Sequence, residues 1–170
     1  MIDLFSRMIV GWKVSASLRK DLALDALEMA IFRRIRGSSA GGLVHHSDRG
    51  SQYLAIKYSL RLAEAGAVAS VGSKGDSYDN AAAESFNGLY KSELIWHDEP
   101  AGGWAGVADV GLATAEYVHW FNSQRRHSAC ERMAPARFEA AWHAWQENKA
   151  RQKPRRGDPG TGPPSRAAPG

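Results

Sequence analysis

One cysteine in 170 residues, Cys130, leaves no partner for an intrachain disulfide. That excludes a small secreted domain held together by disulfides. No apolar run approaches the roughly 18–20 residues that a membrane span needs, so no spanning helix is expected. The opening stretch MIDLFSRMIV lacks the basic-then-apolar layout of a signal peptide. Internal repeats are missing as well. These absences make the cytosol the expected compartment, and one domain of ordinary size plus a tail the expected organisation.

Proline is scarce until the C-terminus, where five of the seven fall within KARQKPRRGDPGTGPPSRAAPG. Charge of one sign is confined to the same place. Residues 149–170 carry six basic side chains against Asp158 alone, a net +5. The chain as a whole carries +4, so residues 1–148 carry −1. With no apolar periodicity, the tail reads as disordered, either a solvated terminus or a loose contact for phosphates. The expected division is therefore a core over residues 1–148 and a basic, Pro/Gly-rich tail over 149–170.

In the body, Met8, Val10, Trp12 and Val14 alternate with Ile9, Gly11 and Lys13, and a period of two predicts a strand. Leu24, Leu27, Ile31 and Ile35 form a helical stripe, with Gly37 placed to end it. Leu43–His46 reads as a short strand running into Ser47-Asp48-Arg49-Gly50-Ser51. Tyr53, Ile56 and Leu60 mark a second helix closed at Gly66, and Ala67–Val71 a third strand. The run GSKGDSYD (72–79) reads as a loop before a helix from Asn80, a natural N-cap, to about Ile95. Pro100 and four glycines make residues 97–111 a loop, and Leu112–Asn122 is helical. Pro135 suits a first helical position, with Phe138, Trp142 and Trp145 as its packing stripe. Strands alternating with helices predict an α/β domain with a partly parallel sheet.

In such sheets ligands gather beyond the carboxyl ends of strands. Asp48 stands at such an end, and Glu84 falls in the first turn or so of the helix after Asn80, where the helix dipole favours a carboxylate. Thirty-five residues separate them. Two carboxylates brought together by a fold are hard oxygen ligands suited to Mg2+ or Mn2+. Each has a plainer reading, Asp48 as a turn residue and Glu84 as part of a solvated helix face. Glu84, Asn87, Gly88 and Lys91 share one helical face. His45 and His46 adjoin the site, but hard oxygen donors suit the chemistry better than imidazole. Asp79 reads as a helix cap.

The strings IDLFSRMIVGWKVS, LVHHSDRGSQYLA, VGSKGDSYDNAAAESFNGLYKSELI and ATAEYVHWFNSQRRHSA occur here in that order. They resemble the catalytic core of bacterial insertion-sequence transposases with a retroviral-integrase-like core, over about residues 1–142. The resemblance implies an RNase H-like fold: a mixed sheet flanked by helices, with an Asp-Asp-Glu set whose second Asp and Glu match Asp48 and Glu84. It further implies a two-metal site for Mg2+ or Mn2+, and a polynucleotidyl transferase that cuts a DNA phosphodiester at an element's ends and joins the freed 3′-hydroxyl to target DNA. On the same basis Lys91 is a candidate contact to the DNA end, with Asn87 beside it. Arg49 and Gln52 flank Asp48 and either position phosphate or stiffen the loop. Arg125 and Arg126 either close a helix C-terminus or touch DNA.

The resemblance puts the family's first catalytic Asp on a strand upstream of IDLFSR. The chain is then expected to begin within the second strand, its first strand missing, with Asp3 toward that strand's end and not a ligand. The family's helix-turn-helix for reading element ends also has no counterpart. PAGGWAG and CERM depart from the family's usual run. Two readings of different class follow: an active strand-transfer enzyme, or an inactive remnant that binds DNA or a full-length transposase. An RNase H-like nuclease of other purpose is a third. Expected partners are DNA, and a full-length transposase or further copies of the chain; none is a membrane.

Overall fold

The computed structural model describes residues 1–17, 22–34, 43–47, 52–71 and 77–151, with residues 47, 52–55, 71 and 77–80 described by backbone alone. The chain divides into two compact units. One holds Met1–Ile2 and Val10–Ala115, the other Asp3–Ile9 and Glu116 onward.

The first unit is mixed α/β. Its elements are α1 (Leu22–Arg34), β1 (Val44–Ser47), α2 (Gln52–Glu64), β2 (Val68–Val71), α3 (Ser77–Tyr90), a π-helical turn (Lys91–Trp96), and the start of α4 (Val107–Ser123). β1 and β2 pair in parallel, Val44 opposite Val68 through Ser47 opposite Val71. Parallel strands need a crossover, and α2 supplies it. The helix stops where the glycine demands. Gly66 has φ 74°, its N–H bonds the Ala63 carbonyl at 2.9 Å, and the Ala67 N–H bonds the Leu62 carbonyl at 2.9 Å. That pair of bonds is a Schellman closure, which turns the chain straight into β2.

Leu27 and Ala30 of α1, Leu62 of α2, Ala65 just after it, Leu94 of the π turn and Val10 are buried. Arg61 of α2 grips the Glu28 carboxylate of α1 with both Nε and a terminal nitrogen, the latter at 2.9 Å. This pair lies near the surface, where solvent keeps its contribution small. Lys13 pairs with Asp25 at 3.1 Å. Gly11 presses on α1 so closely that a Cβ there would lie 2.0 Å from the Ala26 carbonyl oxygen.

The second unit packs a turn, the end of α4, a 3-10 turn (Ser128–Cys130) and α5 (Pro135–Arg151). Pro135 opens α5 as its spacing predicts, since a first-turn residue has no intrahelical N–H partner to lose. Phe121 and Phe138 are fully buried, and Phe5 meets the Phe138 ring at 5.3 Å and the Trp142 ring at 5.1 Å. Cys130 is buried too, its thiol donating to the Ser6 carbonyl at 3.3 Å. Asn122, inside α4, accepts the Ile9 N–H at 2.8 Å and donates to the Ile9 carbonyl at 2.9 Å.

Several sequence expectations are corrected. The alternating stretch Met8–Val14 forms no strand. In the second unit both Ile9 backbone groups are taken by Asn122, and in the first the Val10 N–H goes to the Met1 carbonyl at 3.0 Å. Ile9 makes a single isolated bridge, and the pairing extends no further. α3 begins at Ser77, so Asn80 lies inside the helix and does not cap it. Asp79 falls in the first turn of that helix. α4 begins at Val107, so Gly111 is helical. Asp109 reaches back to the Ala105 N–H at 3.1 Å and starts the helix despite the glycines. α5 continues to Arg151, three residues past the expected boundary at 148. Gly37 and the rest of the tail lie outside the described residues. Among those described, no helix is long and apolar enough to cross a membrane.

Three substitutions test this architecture. Asn122→Leu strands the Ile9 N–H and C=O in a buried setting and should lower stability by about 3 kcal/mol, read by urea titration. Gly11→Ala forces backbone apart and should cost about 3 kcal/mol, whereas alanine at the uncrowded helical Gly111 should stabilise in the same assay.

Candidate active site

Parallel pairing places the carboxyl ends of β1 and β2 on one edge. Asp48 is the next residue after β1; it and Arg49 lie outside the described residues. Gln52 is the first residue of α2, described by its backbone.

Glu84 lies on α3 with its side chain exposed, as are Asn87 and Lys91. The three keep a common face because the helix stays α-helical to Tyr90, and the π turn starts only at Lys91. The expected dipole effect on Glu84 does not hold. Glu84 is the eighth residue of α3, about 10 Å of rise from its start, and the influence of a helix end fades within the first turn.

Behind that face, α3 is tied to α4. The Thr114 hydroxyl donates to the Val110 carbonyl at 2.6 Å, leaving its lone pairs to accept from the Tyr90 hydroxyl at 2.7 Å. Thr114 is buried and Tyr90 half-buried.

A similar relay stands on β1. His45 Nδ1 faces the His46 carbonyl at 3.1 Å, and a carbonyl only accepts, so Nδ1 carries the proton. Nε2 is then the acceptor for the Tyr58 hydroxyl of α2, 2.6 Å away. The rings meet edge to face at 5.0 Å. Burial lowers the His45 pKa, helped by the charges of His46 and the N-terminal ammonium. Burial also raises the Tyr58 pKa above its ordinary value. His45 is thus a hydrogen-bonded, neutral histidine.

Asp3 serves a turn in the second unit. One of its oxygens accepts from the Phe5 N–H at 2.9 Å, the Ser6 N–H at 2.7 Å and the Ser6 hydroxyl at 3.1 Å. It therefore acts as a local cap of the turn at residues 4–6. In that unit Arg125 follows α4 with its guanidinium 5.4 Å from the Trp120 ring centre and 5.7 Å from that of Phe121. Arg126 is exposed. The His45–Tyr58 and Tyr90–Thr114 bonds were not legible in the sequence, because the partners lie 13 and 24 residues apart with no periodic relation.

Comparison with known proteins assigns the chain. Residues 1–77 match one family model and residues 66–135 a second, both described as "Integrase core domain". The chain is 46% identical over 150 residues to the "Putative transposase for insertion sequence element IS986/IS6110" of Mycobacterium tuberculosis, covering 87% of this chain and 53% of that protein. It belongs to the integrase-core family of insertion-sequence transposases. It is also 47% identical over 144 residues to the "Transposase for insertion sequence element IS629" of Shigella sonnei, covering 85% of this chain and 46% of that one. The "Transposase InsF for insertion sequence IS3A" of Escherichia coli K12 is 36% identical over 140 residues, covering 82% and 46%. The chain thus spans about half the length of these relatives. No solved structure matches it. Within the integrase-core matches, Asp48 falls in the first and Glu84, Asn87, Lys91, Arg125 and Arg126 in the second.

The family implies a divalent metal. Among the described residues no group of three or more His, Cys, Asp or Glu is placed to hold one. By donor chemistry Asp48 and Glu84 fit such an ion, being hard oxygen donors, and the exposed Glu84 carboxylate is open to one. His45 is committed to Tyr58 and the strand.

The His45 relay predicts an acid-side loss of stability. Its folded pKa lies below 6.5, so the unfolded chain takes up the proton first as pH falls. The contribution is complete above about pH 6.5 and is lost as pH drops through the folded value. Melting temperatures measured from pH 8 to 5 should fall in the native chain and fall less steeply in His45→Gln.

Proposed function

We propose that this chain is the catalytic core of a DNA transposase, performing metal-dependent phosphodiester cleavage and strand transfer. The observation that carries the reading is the pair of integrase-core matches, which together contain both HHSDRGSQY and GDSYDNAAAESFNGLYKSE. The parallel β1–α2–β2 unit supports an RNase H-like fold, with the site at its carboxyl edge.

On this reading Asp48 and Glu84 hold Mg2+ or Mn2+. A pair of such ions, when bound, assists the attacking oxygen and stabilises the leaving one. In cleavage, a water oxygen bonds to phosphorus and the 3′-oxygen departs, gaining a proton. In joining, that 3′-hydroxyl bonds to a target phosphorus, loses its proton, and displaces the target strand's own 3′-oxygen. The chain's remaining work is to position and neutralise. The Lys91 ammonium, about two turns from Glu84 on the same face, holds a DNA-end phosphate, and the Asn87 amide donates beside it. Arg49 and Gln52 flank Asp48 and orient phosphate there. Arg125 and Arg126 contact the DNA backbone from the second unit, Arg125 held by its aromatic stack. The compartment is the cytosol, and the partners are element-end and target DNA.

One observation favours a second reading, an inactive chain that associates with a full-length transposase or with its own copies. Val44 and Val68, opposite each other on β1 and β2, are more than half exposed, and so are Ile56 and Leu60 of α2. Exposed apolar surface of that kind marks association.

A strand-transfer assay with Mn2+ and duplex DNA carrying the element ends decides between them. The enzyme reading expects native turnover, reduced at least about 100-fold by Asp48→Ala or Glu84→Ala. Turnover unchanged in those variants removes the assignment. Co-sedimentation with a full-length transposase and no turnover supports the second reading.

A further inference from the structure

The faces of α3 divide the labour of this helix. Glu84, Asn87 and Lys91 are exposed on one side. Tyr90, six residues from Glu84, projects about 120° round the helix from it. There the hydroxyl chain from Tyr90 through Thr114 to the Val110 carbonyl crosses to α4. The direction of every proton in it is settled. Val110 can only accept, so Thr114 donates to it and accepts from Tyr90. Leu94 is buried in the π turn just beyond, and Phe86 stacks with Tyr90 at 6.5 Å one turn before.

Apolar burial is non-directional, so it sets the rotation of a helix less sharply than a hydrogen bond with fixed geometry does. A directional bond at the end of a phenol arm supplies that sharper limit. Because the arm leaves from the side of α3 away from Glu84, it fixes the angle at which the Glu84–Lys91 face is presented. The tie also falls at the last α-helical residue, immediately before the π turn that begins with Lys91.

We propose that Tyr90 and Thr114 are positioning residues, which set the rotation of α3 and thereby the placement of the Glu84 carboxylate and the Lys91 ammonium. The proposal rests on Glu84 being a metal ligand. Neither hydroxyl touches metal or DNA.

The test uses Mn2+ alone as probe, its binding to the full chain followed by electron paramagnetic resonance, with circular dichroism and thermal melting on the same samples. Tyr90→Phe and Thr114→Val should each weaken Mn2+ binding about tenfold, the lower end of what outer-shell hydrogen bonds to metal ligands contribute. The double variant should be no weaker than either single one, because both break the same chain. Thr114→Ser keeps the hydroxyl and should restore native affinity. If the melting temperature falls but Mn2+ affinity does not, the hydroxyls are structural only and the proposal is overturned. Glu84→Gln separates the two levels. Undiminished Mn2+ binding in that variant, or no binding by the native chain, overturns the metal-ligand reading and this proposal with it. Weakened binding in Glu84→Gln beside native binding in Tyr90→Phe overturns this proposal alone.

Discussion

Backbone hydrogen bonding is the constraint on which the rest depends, and Asn122 shows how it is met. Ile9 is buried and forms only an isolated bridge, and its N–H and C=O are both paired by one carboxamide. A buried, unpaired peptide group costs about 1–3 kcal/mol, so a side chain that satisfies two at once can stand in for a neighbouring strand. Around it the second unit assembles Phe121, Phe138, Cys130 and the Asp3 turn. Asparagine suits the position because its amide offers a donor and an acceptor side by side.

The first unit uses the same economy of polar groups. In both of its relays a carbonyl, which can only accept, dictates the direction of the protons upstream. The Nδ1 proton of His45 is thereby placed, burial lowers the ring's pKa, and Tyr90 is a donor to Thr114. These ties join β1 to α2 and α3 to α4, the elements on which the candidate chemistry is mounted. They leave Glu84, Asn87 and Lys91 facing outward. Rigid secondary structure bearing an exposed acidic and basic face suits a site whose work is placing phosphates.

Much of the fold was legible from local pattern. The short strands at Val44 and Val68, the crossover helix ending at Gly66 and the start of α5 at Pro135 all follow from periodicity and from the special backbone of glycine and proline. The misreadings share a cause. Alternation in Met8–Val14 implied a sheet, but alternation reports only side-chain spacing, and pairing depends on whether backbone groups are free. Asn80 carried the chemistry of a cap, yet Ser77 and Asp79 suit a helix start as well. Glycines in 97–111 suggested a long loop, but Asp109 reaching back to Ala105 outweighed one helical glycine. Motif and order name the carboxylates and basic residues only as candidates for the proposed site. The bonds of Tyr58, Tyr90 and Thr114 were not legible, since a hydrogen bond across 24 residues leaves no mark in local spacing.

The amino-acid sequence by itself determined the family, the order of elements and the residue types brought to the site, because periodicity, turn chemistry and motif order are properties of neighbouring residues. Tertiary structure alone decided that residues 9–11 are held by Asn122 and by Met1, that His45 is bound to Tyr58, and that Tyr90 of α3 is bound to Thr114 of α4. Each of those outcomes turns on which donor meets which acceptor across the fold, and directional bonds between distant residues are settled only when the elements pack.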